Sequence, residues 1–331
     1  MKAIIYKTYG SPDVLKLVDL PKPVPADNEV LVRIFSTTVT SGDWRARSLD
    51  LPGGFAFLGR PIFGLLGPRR PILGQEMSGV VEAVGASVTR FRVGDEVAAY
   101  TGAKSGCHAE YLTMPETGWI IPKPKNLTFE EAGAMFFGGT TALDFLRNKG
   151  QVRPGEKVLI VGASGAVGSA AVQIAKYLGA EVTGVCSTAN LDLVTALGAD
   201  HVIDYTVEDF ATNGETYDVI LNASGDVPFS RVENSLNRGG RLLLVLGSFS
   251  QLLGFERPRK SSGKKVIAGV ASITNDDMAA LAHMAEIGAF KPLIDRSFPL
   301  EDARLAHAYV DTGRKRGNVV LTVARPSQFH N

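Results

Sequence analysis

Three glycines, Gly162, Gly165 and Gly168, punctuate VLIVGASGAVGSAAVQIAK (158–176), where an apolar strand runs directly into an amphipathic helix. Glycines at this spacing let the backbone bend sharply and approach a pyrophosphate. The free N–H groups and partial positive charge at the helix start then hold the anion. The string alone is weak, because glycine turns also close ordinary strand–helix corners. Here the strand and the helix both flank it, which is the context a dinucleotide site requires. Gly162, Ala163, Ser164, Gly165, Ala166, Val167 and Gly168 are therefore expected around the phosphates of a dinucleotide.

Other reactive constellations lack a supporting context. Tyr100 and Lys104 have YxxxK spacing but precede the glycine turn on an expected strand and turn. The histidines at 108, 201, 283, 307 and 330 sit in unrelated segments without a serine or cysteine nucleophile signature. The basic clusters RPRKSSGKK (257–265) and GRKRG (313–317) read as solvated loops, one of which can brush a nucleotide phosphate. A net charge of +1 supplies no field for nucleic acid or an acidic membrane. Cys107 and Cys186 are too few for a disulfide framework, and a reducing compartment is the simpler reading. With no apolar signal core and no membrane-length apolar run, the cytoplasm is the expected location.

The elements that position the glycine turn are legible from periodicity. Strands are expected at 158–162, 181–186, 201–205, 217–224, 241–247 and 264–270, with helical patterns at Ala166–Leu178, Leu191–Leu197 and Phe229–Leu236. Nearly continuous apolar strands alternating with helices imply a parallel sheet covered on both faces, the doubly wound α/β arrangement. Residues 1–120 instead show short alternating segments at 29–37, 79–85 and 95–100, separated by Gly, Pro and Asp, which suggests a mostly antiparallel, barrel-like unit. Segment 48–73 has neither helical nor strand period and is expected as a long loop. Its Phe55, Phe57 and Phe63 either line a pocket or pack on the barrel. Helices at Asp276–Ile287 and Leu300–Asp311 and a strand at 317–323 close the chain.

The order of these parts, with GSPDVLKL (10–17), NEVLVRI (28–34), GQEMSGVVEAVG (74–85), VGDEV (93–97), AEYLTMPE (109–116) and LGADHVIDY (197–205), resembles the medium-chain dehydrogenase/reductase superfamily. Within it the chain is similar to the zinc-free NADPH:quinone oxidoreductases of the zeta-crystallin type. The resemblance implies a GroES-like catalytic domain from residues 1–121 and 273–331 and a dinucleotide-binding domain at 122–272. It also implies an active site between them and dimerisation through the last strand of the nucleotide sheet. Zinc-dependent members carry a Cys and a Gly-His-Glu segment where this chain has VTSGDW (39–44) and GQEMSG (74–79), so Thr40 and Gln75 replace two ligands. Two cysteines also cannot build the four-cysteine lobe, and no zinc is expected. Without a Lewis acid a simple ketone loses help in stabilising the forming alkoxide. A hydrophobic quinone or α,β-unsaturated carbonyl spreads that charge itself, and positioning supplies much of the catalysis.

NADPH is the expected cofactor. The second strand of the nucleotide sheet ends in Val185, Cys186, Ser187 and Thr188, without the acid that bonds a ribose 2′-OH in NAD-selective sheets. The resemblance assigns Ser187 and Tyr205 to the 2′-phosphate, and Thr140 and Thr141 to the nicotinamide ribose and phosphates. Asn222 with Ala223, and Leu246, Gly247 and Ser248, end the fourth and fifth strands and should face the cofactor, with Asn318 near the last strand. On the acceptor side, Thr40 is a candidate to polarise a carbonyl and Tyr111 a candidate proton donor, although a phenol there also suits the barrel interior. Asp43 reads as a structural acceptor and Trp44 as core. Two other functions remain open at this level: an alcohol or aldehyde oxidoreductase with a protein proton donor, and a non-catalytic NADPH-binding protein of the crystallin kind.

Overall fold

A computed structural model describes residues 1–51, 56–225, 227–245, 247, 251 and 260–324. The chain opens with strands β1 (Lys2–Ile5), β2 (Lys16–Asp19) and β3 (Glu29–Val39), then helices α1 (Ser41–Ser48) and α2 (Ala56–Phe63). Strands β4 (Glu76–Val84), β5 (Glu96–Tyr100), β6 (Tyr111–Pro115) and β7 (Ile120–Pro122) follow, and helices α3 (Phe129–Gly133) and α4 (Phe136–Leu143) lead out of them. The alternating half runs β8 (Lys157–Val161), α5 (Ala166–Tyr177), β9 (Glu181–Cys186), α6 (Leu191–Ala196), β10 (His201–Asp204), β11 (Tyr217–Asn222), α7 (Phe229–Val232), β12 (Leu236–Leu244) and β13 (Lys265–Ala268). Helix α8 (Asn275–Glu286), β14 (Ile294–Pro299), α9 (Ala303–Asp311) and β15 (Asn318–Thr322) complete it.

Six strands form one parallel sheet in the order β10-β9-β8-β11-β12-β13. The order reverses between β8 and β11, which opens a crevice beyond their carboxyl ends. The unbroken apolar run of β8 has a physical cause: Val158 and Ile160 pack into the core beneath α4 and α5, while Leu159 and Val161 pack into a second core on the opposite face. The second sheet, β14-β15-β3-β4-β5-β7 with β6 also on β3, is antiparallel except for β14 beside β15. Strand β15 returns from the far end of the chain to pair with β3, placing Val319 opposite Val39. The fold is therefore α/β, a doubly wound parallel sheet joined to a mostly antiparallel barrel-like unit.

Segment 48–73 departs from the loop expectation, because helix α2 lies within it and carries Pro61 inside. Four glycines and three prolines in the surrounding residues hid its short apolar periodicity. Helix α1 was also hidden, although its start is a capping box: Thr40 Oγ1 accepts from the Asp43 N–H and Asp43 Oδ2 accepts from the Thr40 N–H. Strand β12 begins at Leu236, earlier than the apolar run suggests, and the first turn of the Leu300–Asp311 segment is 3₁₀. Among the described residues no helix is long and apolar enough to cross a membrane.

Candidate active site

Backbone builds the first half of the site. Gly162, at φ 82°, turns the chain out of β8, and the Gly162 and Ala163 N–H groups donate to the Val185 carbonyl at 3.1 and 3.0 Å. A Cβ on Gly168 would meet the Gly162 carbonyl oxygen at 2.0 Å, so only glycine lets α5 pack this tightly on the turn. Gly165 is different: a Cβ there has one neighbour within 4 Å, at 3.5 Å, and faces open space. It is also the N-cap of α5 and offers no side-chain cap, which leaves the first amides of the helix directed at that space. A cavity of about 670 Å³ lies over the turn, and these features fit a dinucleotide pyrophosphate.

The far wall of this cavity comes from two places. Ser187, Asn190 and Tyr205 line it from the ends of β9 and β10, and Asn190 Nδ2 donates to Ser187 Oγ at 3.0 Å. Gly313, Arg314, Lys315 and Arg316 line it from the loop after α9. That loop is tied to the glycine turn by Gly317 N–H donating to the Ser164 carbonyl at 2.8 Å. Lys315 is not solvated as its sequence suggests: its Nζ donates to the Gly317 carbonyl at 2.6 Å, and burial lowers its pKa to about 8. No carboxylate lines the cavity among the described residues.

The second half is a cleft of about 700 Å³ that shares Ser41, Phe137, Val167 and Ala223 with the first. Gln75 and Tyr100 line its floor, with Tyr100 Oη 3.4 Å from Gln75 Oε1. Beneath them Glu76 is fully buried and accepts from Thr38 Oγ1 at 2.6 Å and from the Phe136 and Phe137 N–H groups at 2.8 Å each. Burial pushes its carboxyl up to about 7 against those bonds. Glu76 thereby pins the start of α4, whose Phe137 and Thr141 line the cleft, to the antiparallel sheet.

The positions that hold metal in zinc-dependent relatives are occupied differently. Thr40 is buried, and its Oγ1 donates to Asp43 Oδ2 at 2.6 Å; Asp43 Oδ1 accepts from the Gly74 N–H at 2.8 Å. Burial raises the Cys107 thiol, and His108 Nε2 lies 2.9 Å from the Thr38 carbonyl. Among the described residues no three His, Cys, Asp or Glu side chains converge as a metal site.

The structure brings Gly162, Ser164, Gly165, Ala166, Val167, Gly168, Ser187 and Tyr205 onto one cavity, and places Thr141 with Val167 on the adjoining cleft. Other candidates do different work. Ala163 is buried under the turn, and Thr140 Oγ1 donates within its own helix to the Phe136 carbonyl. Thr188 Oγ1 donates to Asp204. Asn222 Nδ2 holds the Gly225 carbonyl, and Asn318 Nδ2 donates to the Leu293 carbonyl. Gly247 is buried, with the Ala268 Cβ 3.0 Å from where its own would lie, whereas Leu246 and Ser248 lie outside the described residues. Thr40 and Tyr111 line neither cavity: Thr40 is the cap described above, and Tyr111 sits on β6 with the Lys22 ammonium 4.2 Å from its ring centre. Trp44 lines the dinucleotide cavity and Phe63 the cleft, while Phe55 and the Phe57 side chain lie outside the described residues. Sequence reasoning read the GRKRG cluster (313–317) as a solvated loop, one of two that could brush a nucleotide phosphate; the structure puts its Arg314–Arg316 on the cavity wall.

Comparison with known proteins agrees with this geometry. Residues 26–125 match the alcohol dehydrogenase GroES-like domain family, and residues 197–321 match a family described as zinc-binding dehydrogenase. The chain is 34% identical to quinone oxidoreductase from Sus scrofa, over 93% of both chains. It is 31% identical to the chloroplastic NADPH-dependent alkenal/one oxidoreductase of Arabidopsis thaliana, over 97% of this chain and 79% of that one. A solved NAD-dependent alcohol dehydrogenase superposes with a TM-score of 0.85 at 29% identity, covering 98% of this chain and 100% of the other.

Proposed function

The chain belongs to the medium-chain dehydrogenase/reductase superfamily, in its quinone oxidoreductase type, and from that premise we propose that it reduces quinones and α,β-unsaturated carbonyls with NADPH and without zinc. One observation carries the reading: a dinucleotide cavity opens directly into a largely apolar cleft through Ser41, Phe137, Val167 and Ala223, and none of these four junction residues is a metal-ligand type. When bound, the reduced nicotinamide supplies the hydride. The helix α5 amides hold the pyrophosphate, and Thr141 and Val167 border the face on which the acceptor lies. A hydride arriving at the β-carbon of an enone opens the C=C bond to an enolate, and a solvent proton then reaches the α-carbon. A quinone takes the same hydride and one proton to become the hydroquinone. In both, the conjugated acceptor carries the developing charge, so the chain's task is to position it and exclude competing water. The proposal assigns no proton transfer to Thr40 or Tyr111.

The relatives differ in cofactor by name, so the choice rests on residues of this chain. Ser187, Tyr205 and the cationic loop at Arg314–Arg316 face one cavity that no carboxylate lines among the described residues, which suits a 2′-phosphate. We place the catalytic unit at residues 1–121 and 273–331 and the nucleotide unit at 122–272. Strand β13 has a neighbour on one side only among the described residues, and we assign it to pairing with a second copy in the cytoplasm. Steady-state NADPH oxidation with ortho-quinones, para-quinones, enones, aldehydes and alcohols tests the reaction. Turnover of conjugated acceptors alone is expected. Turnover of alcohols alone, or tight NADPH binding without any turnover, overturns it.

A further inference from the structure

The cleft that receives the acceptor is apolar over most of its wall, yet three guanidinium side chains line it: Arg45, Arg69 and Arg70. Among the described residues no carboxylate lines it, and none of the three arginines forms an ion pair. Two buried acids of the neighbouring elements, Asp43 and Glu76, are already engaged inward. Asp43 accepts from Thr40 and the Gly74 N–H, and Glu76 accepts from Thr38 and the start of α4. Asp50 is exposed, and Arg45 reaches only its backbone carbonyl, at 3.4 Å. Arg69 donates to the Pro61 carbonyl at 3.1 Å, a neutral partner. Arg45 Nε is buried and has no hydrogen-bond partner.

An uncharged quinone offers these groups carbonyl oxygens but no charge to offset theirs. Arg69 and Arg70 are exposed and Arg45 is half-buried, so the wall carries a net positive charge, and the buried Arg45 Nε left unbonded is costly. A carboxylate answers both, because its two oxygens match the guanidinium fork and its charge offsets the cluster. Position narrows the choice further. Arg45 lies one helical turn, roughly 6 Å of rise, from Ser41, which borders the dinucleotide cavity. The anion must therefore sit within a few bonds of the reducible double bond.

We infer that the acceptor is a short conjugated carbonyl compound bearing a carboxylate, held by Arg45 and Arg70 on the wall of the cleft. This rests on the reductase reading above and names its substrate class. The carboxylate makes and breaks no bond: hydride still reaches the carbon β to the ketone, the C=C electron pair passes to the ketone oxygen, and a solvent proton reaches the α-carbon. Arg45 and Arg70 act as specificity-determining residues.

The test compares trans-4-oxo-2-pentenoate with its methyl ester as acceptors for NADPH oxidation, in the wild type and in Arg45→Gln and Arg70→Gln. The acid is expected to have at least a tenfold higher kcat/KM than the ester. That ratio should fall at least fivefold in each variant and should also fall with added salt. Arg45→Lys, which keeps the charge but loses the fork, should retain part of the preference, and exposed Arg70 gives a variant whose folding is not at issue. A second readout needs no turnover: calorimetric binding of 4-oxopentanoate against its methyl ester to the NADP-loaded protein, with the acid again at least tenfold tighter. Equal reduction and equal binding of acid and ester overturn the anion site while leaving the reductase intact. Preferential binding of the acid with no reduction of either compound overturns the reductase reading and keeps the anion site. A preference seen only with a phosphopantetheine thioester, whose phosphate lies a long arm away, overturns the short carboxylate. Failure of both readouts with both compounds overturns both.

Discussion

The two halves of the site are built from different materials. The dinucleotide cavity is made of backbone from one contiguous stretch, where Gly162, Gly165 and Gly168 bend β8 into α5. The acceptor cleft is made of side chains from α1, the segment before β4, α4 and the loop after β13, elements that β3–β4 pairing and the Glu76 bonds to α4 help to bring together. A backbone site depends on which side chains are absent, and it fails when one is added. A side-chain site depends on partners that are far apart in sequence, and it can be retuned one residue at a time.

The largest expected effect breaks the first half. Gly168→Val places a branched side chain where even a Cβ lies 2.0 Å from the Gly162 oxygen, so α5 must move off the turn. Titration calorimetry should show NADPH affinity reduced at least 100-fold, about 3 kcal/mol, with a lowered Tm. Unchanged affinity would mean that the close approach of helix and turn does not form the phosphate site.

The next effect falls on the buried carboxylate that joins the halves. Glu76→Ala orphans two α4 amides and the Thr38 hydroxyl, and urea unfolding should show a loss of about 2–4 kcal/mol. The pH dependence sharpens the point. Burial lifts the folded carboxyl to about 7 from 4.5, so the folded chain binds this proton more tightly than the unfolded one. The stability contributed by protonated Glu76 is then lost as pH rises from about 4.5 through 7. Glu76→Gln should accordingly look worst against the wild type near pH 5 and improve toward pH 8, by roughly 3 kcal/mol at most.

A smaller change retunes the cavity without breaking it. Ser187→Asp puts a carboxylate at the end of β9 and should weaken NADPH about tenfold, or 1.4 kcal/mol, while NADH binding moves less than twofold. Equal losses for both nucleotides would take Ser187 away from the 2′-phosphate. The smallest effect lies behind the cleft, where buried His307 has no partner on either ring nitrogen and meets the His108 ring edge-on at 5.5 Å. Burial, helped by His108 and Arg47, holds its pKa well below 6.5. The unfolded chain binds the proton first, so stability is lost as pH falls below about 6.5, opposite in sign to Glu76. His307→Phe should flatten that acid limb by up to about 1.4 kcal/mol per pH unit, read from melting curves at pH 5 to 7.

The parallel sheet was legible in the sequence, and so were strands β3, β4, β5 and β15 of the second sheet, whereas β6, β7 and β14 left no periodic signal. Continuous apolar runs such as Val158–Val161 are forced by cores on two faces, whereas β3, which reads as alternating over 29–37, is in fact buried on both faces from Ile34 to Val39. The hidden elements were those whose signals compete. Helix α2 carries proline and glycine in a proline-rich surround, and α1 announces itself only through the pairing of Thr40 with Asp43. That same pairing redirects Thr40 from carbonyl chemistry to capping, a choice no spacing rule distinguishes, since a threonine hydroxyl serves either purpose.

From the chain of residues alone came the glycine turn, the missing acid after β9 and the missing metal ligands, because each is a property of side chains present or absent within a few positions. Folding alone settled that Arg314–Arg316 close the dinucleotide cavity and that Arg45, Arg69 and Arg70 share a wall with Gln75 and Tyr100. The first meeting follows a closing strand that pairs residues 319 and 39, the second the pairing of β3, β4 and β5, and separations of that length leave no periodic trace in the residues they join.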